Sequence, residues 1–134
     1  MRFADTGFWF GLHVRADRRH EPARALWSQD DSRIITSNLV LGETWTLARV
    51  RGVAHSTAMR LIDSIHASAR VTVVRVDESV EREAWDWLRD HDERRYSFVD
   101  ATSFAVMRRR RLQQALTFDG DFTAAGFVEV LPGG

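Results

Sequence analysis

The sequence predicts an α/β fold, a three-layer sandwich with a mostly parallel sheet of about five strands flanked by helices. Short apolar or β-branched runs alternate along the chain with longer stretches of helical periodicity, and strands joined through helices pair in parallel with both faces covered. The 134 residues hold only two prolines and show neither a repeat nor a low-complexity stretch. That length and evenness predict a single domain over residues 1–134.

Residues 2–5 (Arg-Phe-Ala-Asp) read as a short strand running into a helix. Pro22 suits the first turn of a second helix, through about Ser28. Arg33–Thr36, with consecutive isoleucines, reads as a buried strand. Residues 38–51 carry helical periodicity and stop at Gly52, a C-cap signal. His55–Ser68 repeats the pattern with Met59, Leu61, Ile62 and Ile65. Val71–Val76 is a β-branched strand, and Asp77 opens a helix carrying Val80, Ala84, Trp87 and Leu88. Ser97 to about Leu112 is another helix, Ala115–Phe118 a short strand and Phe127–Leu131 a last one.

Composition removes whole classes of chemistry. Without cysteine there is no disulfide scaffold, thiolate zinc site or cysteine nucleophile. All 19 basic residues are Arg, which excludes a Walker-type phosphate loop, a Schiff base and a Ser–Lys dyad. No run approaches the ~18 apolar residues of a membrane span, and Phe8–Val14 lacks the flanks of a cleavable signal. A cytoplasmic protein is expected. The 19 acidic residues balance the basic ones, so any attraction for nucleic acid must come from a local patch.

Ligands of open α/β sheets collect at the carboxyl ends of the strands, so acids at those ends and on helix faces are the candidates. Asp5 closes the first strand, where it also fits a helix N-cap. Glu43 shares a helix stripe with Leu39 and Leu47, close to Val40 and Val50, and a carboxylate there needs a partner or a metal. Arg49 or Arg51 is the plain alternative. Asp100 shares a stripe with Phe104 and Met107, but Ser97 three residues earlier makes a capping box with it. Asp119 and Asp121 flank Gly120 after a strand, as in an ordinary turn. Gathered at one sheet end, these carboxylates would repel one another unless a divalent cation neutralised them. Oxygen ligands without Cys or paired His select Mg²⁺ or Mn²⁺.

The ordered set Phe-Ala-Asp5-Thr6-Gly7, Leu41-Gly42-Glu43-Thr44, Ser97-Phe98-Val99-Asp100-Ala101 and Leu116-Thr117-Phe118-Asp119-Gly120-Asp121-Phe122 resembles a PIN domain. Within that superfamily it is most similar to the VapC toxins of type II toxin–antitoxin systems. The resemblance spans the chain to Gly126-Phe127-Val128. It implies a metal-dependent endoribonuclease whose catalytic acids fall on Asp5, Glu43, Asp100 and Asp119, leaving 5′-phosphate and 3′-hydroxyl ends. Asp5, Asp100 and Asp119 would hold Mg²⁺ or Mn²⁺, and Glu43 would orient or deprotonate the attacking water. Gly7 stands where many relatives carry Ser, so the supporting hydroxyl is either missing or supplied by Thr6.

The resemblance also implies an RNA substrate, a VapB-like antitoxin and a homodimer. Phosphate contacts are sought in the Arg108–Arg111 run, although four consecutive residues point all round a helix, and in Arg94-Arg95 beside Tyr96. Trp9 and Trp45, each close to an acid, are candidate anchors for a partner. The five histidines show no paired metal-ligand spacing. Two other readings use the same scaffold: a catalytically silent PIN-like binding module, and a PIN nuclease of RNA processing with no antitoxin. A receiver-like phosphoacceptor fails for want of Lys.

Overall fold

Five short strands form one sheet: β1 (Arg2–Ala4), β2 (Ile34–Ser37), β3 (Val71–Val74), β4 (Gln114–Leu116) and β5 (Val128–Glu129). Their order is β3-β2-β1-β4-β5 and every pairing is parallel, so the expected mostly parallel sheet is wholly parallel. The computed structural model describes residues 1–133; Gly134, the end of the expected domain, lies outside the described residues.

Seven helices connect these strands among the described residues: α1 (Thr6–His13), α2 (His20–Gln29), α3 (Asn38–Val50), α4 (His55–Ala67), α5 (Glu78–Arg89), α6 (Phe98–Arg109) and α7 (Asp121–Ala124). The expected elements are all present, with ends moved by at most three residues. The exception is α7, a single turn inside what reads as a loop. Four residues are too few to show a period, so only the buried Phe122 marks it.

Local chemistry fixes the helix starts. Ser37 caps α3 by accepting from the Val40 amide at 3.1 Å, and Asp77 caps α5 by accepting from Val80 at 3.0 Å. Gly52, at φ +82°, takes the left-handed turn beyond α3 that any side chain would disfavour. The core runs through both faces of the sheet. Phe3, Phe8, Trp9, Phe104 and Phe122 are each at most 1% exposed, and full burial of such a side chain contributes roughly 1.5–3 kcal/mol. Helix α6 is buried from Asp100 to Met107. A helix buried that completely has no polar face for a period to reveal.

The strand order decides where a ligand can sit. From β1 the chain winds outward through β2 and β3, then returns to place β4 on the other side of β1. The switch point therefore lies between β1 and β4, at their carboxyl ends. Asp5 and Thr117 follow those two strands directly.

Candidate active site

Asp5 is pinned where β1 ends: its amide donates to Leu116 O at 3.1 Å, extending the β1–β4 ladder by one residue. It occupies the N-cap position of α1 without making a side-chain cap hydrogen bond. Its Oδ2 accepts from the Thr117 hydroxyl at 3.3 Å. Its Oδ1 is buried with no hydrogen-bond partner. Burial, then the charge of Asp100, raises its pKa well above the ordinary carboxylate value, against a lowering influence from the Thr6 amide.

Asp100 does two things at once. Its amide donates to Ser97 Oγ at 2.9 Å while its Oδ2 accepts from the Ser97 amide at 3.0 Å, completing the capping box. That leaves Oδ1 free. Burial, foremost, lifts its pKa to about 6 against the lowering effect of the Ser97 amide, with Asp119 and Asp121 adding to the rise. The cap therefore aims the acid rather than explaining it away.

Asp119 is exposed and accepts from the Asp121 amide at 3.0 Å through Oδ1. Its pKa is raised, mainly by partial burial of the carboxyl. Carboxylate oxygens of Asp5, Asp100 and Asp119, one from each, lie within 4.8 Å of one another. Hard anionic oxygens this close suit a hard divalent cation, and the orphaned Asp5 Oδ1 is a further oxygen in want of a partner.

Glu43 stands beside this trio rather than in it. The Thr6 hydroxyl, next in sequence to Asp5, donates a short hydrogen bond to its Oε1. The expected core-facing stripe needs correction. The buried face of α3 is Val40, Leu41, Thr44 and Ala48, whereas Leu39, Glu43 and Leu47 are half-buried on its flank and Val50 is 77% exposed. The Arg alternative fails too. Arg49 donates to Val53 O at 2.9 Å, Arg51 lies 4.0 Å from Asp17, and Glu43 forms no ion pair among the described residues.

The loop carrying Asp119 is held from three sides. Arg94 Nε and Nη2 both reach Asp121 Oδ1 at 2.9 Å, so Asp121 is committed to an ion pair and Arg94 is a brace. Glu129 accepts from the Gly120 and Thr123 amides at 3.2 and 2.9 Å. Phe122 lies against Phe104, Phe3 and Phe127, with ring centroids 4.9, 6.2 and 6.4 Å away. Thr117 and Glu129 were missed from sequence. A lone polar residue in an otherwise apolar expected strand was the only signal of each.

The Arg108–Arg111 run starts eight residues beyond Asp100 on α6, some 12 Å along the axis. Arg108 and Arg109 pair with Glu83 there, at 3.4 and 2.7 Å. Trp9 is 1% exposed and donates to Thr36 Oγ1 at 3.1 Å, which makes it a core residue and no partner anchor. Trp45 is half-buried, edge-on to His55 at 5.3 Å.

The PIN domain family matches residues 2–128. This chain belongs to the PIN-domain family. Among PIN-domain proteins it is similar to the 23S rRNA-specific endonuclease VapC20 of Mycobacterium tuberculosis, from strains CDC 1551 / Oshkosh and H37Rv. In each case identity is 52% over 132 residues, covering 98% of this chain and 99% of the relative. A crystal structure of Mycobacterium tuberculosis VapC20, described as a sarcin–ricin loop cleaving toxin, superposes with a TM-score of 0.92 at 52% identity. It covers 98% of this chain and 100% of that one. A toxin–antitoxin complex from Klebsiella pneumoniae shares the fold alone, with a TM-score of 0.65 at 15% identity and 98% of each chain covered. The parallel sheet and its flanking helices are thus those of a PIN domain.

Proposed function

We propose that this chain is a divalent-metal-dependent endoribonuclease, the toxin of a toxin–antitoxin pair, working in the cytoplasm as a single PIN domain over its length. The observation that carries this reading is the convergence of Asp5, Asp100 and Asp119 within 4.8 Å, with Asp5 Oδ1 buried and unpartnered. Those three acids would hold Mg²⁺ or Mn²⁺. When bound, the ion supplies charge neutralisation at the phosphate and a water of lowered pKa.

The remaining work falls to the protein. Glu43, its Oε1 held by Thr6, orients the attacking water and takes its proton. Thr117 holds Asp5 Oδ2, the Ser97 cap holds Asp100 Oδ2, and the Arg94–Asp121 pair steadies Asp119. In-line displacement at phosphorus then needs no His or Lys.

The 52% identity to a 23S rRNA-specific endonuclease supports the same substrate here, cut at the sarcin–ricin loop. A cognate antitoxin and a homodimer as the resting assembly complete the reading, as the resemblance to VapC toxins implies. The test is incubation of purified chain with 23S rRNA and with the isolated loop. Cleavage is expected with Mg²⁺ or Mn²⁺, none in excess EDTA, and none from Asp100→Ala. Expression should arrest growth, and Asp100→Ala should not. Full cleavage in EDTA would refute the metal role, and RNA cleavage without growth arrest would favour an RNA-processing nuclease.

A further inference from the structure

A groove of about 630 Å³ opens beside the acids, and Asp119 belongs to both the acid cluster and the groove wall. Gly7 and Phe118 line it, and so do three cations, Arg18, Arg19 and Arg51. None of these arginines stands in the runs that the sequence singles out. The Arg19 guanidinium lies 5.1 Å from the Phe118 ring centroid, and that of Arg51 lies 5.5 Å from Phe10. A guanidinium held by its face over a ring keeps its in-plane N–H groups for a phosphate fork. Among the described residues, Arg18 and Arg19 make no ion pair, and Arg51 has only Asp17, at 4.0 Å.

The backbone places Arg19 deliberately. A Cβ on Gly11 would meet Arg19 Cβ and O at 3.1 Å, so α1 and the following loop approach closely only because Gly11 has none. Gly7 is a different case. It lies exposed in the first turn of α1, its φ is not positive, and a Cβ there would meet nothing within 4 Å. Folding does not require this glycine, and in a helix it costs up to about 1 kcal/mol against Ala. It leaves the floor between acids and groove open.

We propose that this groove is the track of one RNA strand leading away from the scissile phosphate, with Arg19 and Arg51 gripping backbone phosphates and bare Gly7 letting the strand pass. The inference rests on the ribonuclease reading above. The occupant is polyanionic because three arginines outnumber the two acids of the wall, Asp17 and Asp119, and stacked guanidinium forks match phosphate geometry.

Steady-state cleavage of the sarcin–ricin RNA at several salt concentrations tests this, alongside titration of each variant with Mn²⁺. Arg19→Ala and Arg51→Ala should each raise KM about tenfold, as loss of one phosphate contact worth about 1.4 kcal/mol implies. Each should also flatten the plot of log kcat/KM against log salt by about 0.7. Arg19→Lys should restore the slope, which packing alone would not. Gly7→Leu should lose more than about 100-fold in cleavage, a loss above about 2.7 kcal/mol, while binding Mn²⁺ normally. Arg82→Ala, outside the groove and paired only with Glu78, should behave as the unsubstituted chain. If the unsubstituted chain cuts RNA but the Arg variants keep its KM and slope, or Gly7→Leu cuts normally, the track is wrong and the nuclease reading stands. If the Arg variants lose antitoxin binding alone, the groove is a protein-docking surface and the proposal falls. If the unsubstituted chain cuts no RNA, both readings fall.

Discussion

Asp5 buries an oxygen that no hydrogen bond satisfies, and an unmet buried anion is among the least favourable groups a small domain can carry. The raised pKa values of Asp5, Asp100 and Asp119 express the same cost. A carboxyl whose pKa is higher folded than unfolded binds its proton more tightly in the folded state, so its contribution is present below about 4 and lost as pH rises through the folded value. For Asp100 that window runs from 3.8 to about 6, a difference of roughly 3 kcal/mol. About half of that is already lost at pH 5, so metal-free protein should melt lower at pH 8 than at pH 5 by on the order of 5 °C, the equivalent of about 1.4 kcal/mol, in scans with EDTA. Mg²⁺ should restore the loss, and Asp100→Asn should shrink it; a flat profile in the unsubstituted chain would contradict the buried-acid account. At Glu43 the partner is a hydroxyl. Thr6→Val removes it and should lower kcat about tenfold, the effect of losing one hydrogen bond to a charged group, with KM little changed in initial-rate assays.

At the scale of elements, the acids are positioned by devices that do not touch one another in sequence. The α6 capping box orients Asp100, the β1–β4 ladder orients Asp5, and α7 carries the end of the Asp119 loop. Phe122 is the anchor of α7, so Phe122→Ala should cost roughly 3–5 kcal/mol in urea unfolding and weaken metal binding as Asp119 loosens. Gly11→Ala should separate α1 from Arg19, where a Cβ would stand 3.1 Å from backbone. Its expected signature is weaker RNA binding with metal binding retained, read by parallel titrations. The sequence showed α3, α5 and α6 because their ends carry Gly52, Asp77 and Ser97, whose local chemistry acts within a few residues. It misread the α3 stripe because Glu43 and its apolar neighbours lie on a flank whose burial depends on helices elsewhere in the chain. Trp9 was misplaced for the same reason: its indole finds Thr36 across the sheet.

Over the whole molecule, the reversal of strand order around β1 brings residues 5, 100 and 119 to one point. A ligand that binds only there stabilises the folded state by mass action, about 2.7 kcal/mol at a hundred times its Kd. Thermal stability should thus rise with Mn²⁺ concentration in the unsubstituted chain and stay level in Asp5→Asn. No helix among the described residues is long and apolar enough to cross a membrane. Taken alone, the sequence determined the α/β class and the order of the elements other than α7, and it offered four candidate acids, because period, caps and residue type are written locally. Only the tertiary structure decided that three of those acids meet while Glu43 stands aside on Thr6, that Asp121 belongs to Arg94, and that Arg18, Arg19 and Arg51 line the groove. Those outcomes depend on distances between residues far apart in the chain, which the sheet order and core packing set and no local pattern encodes.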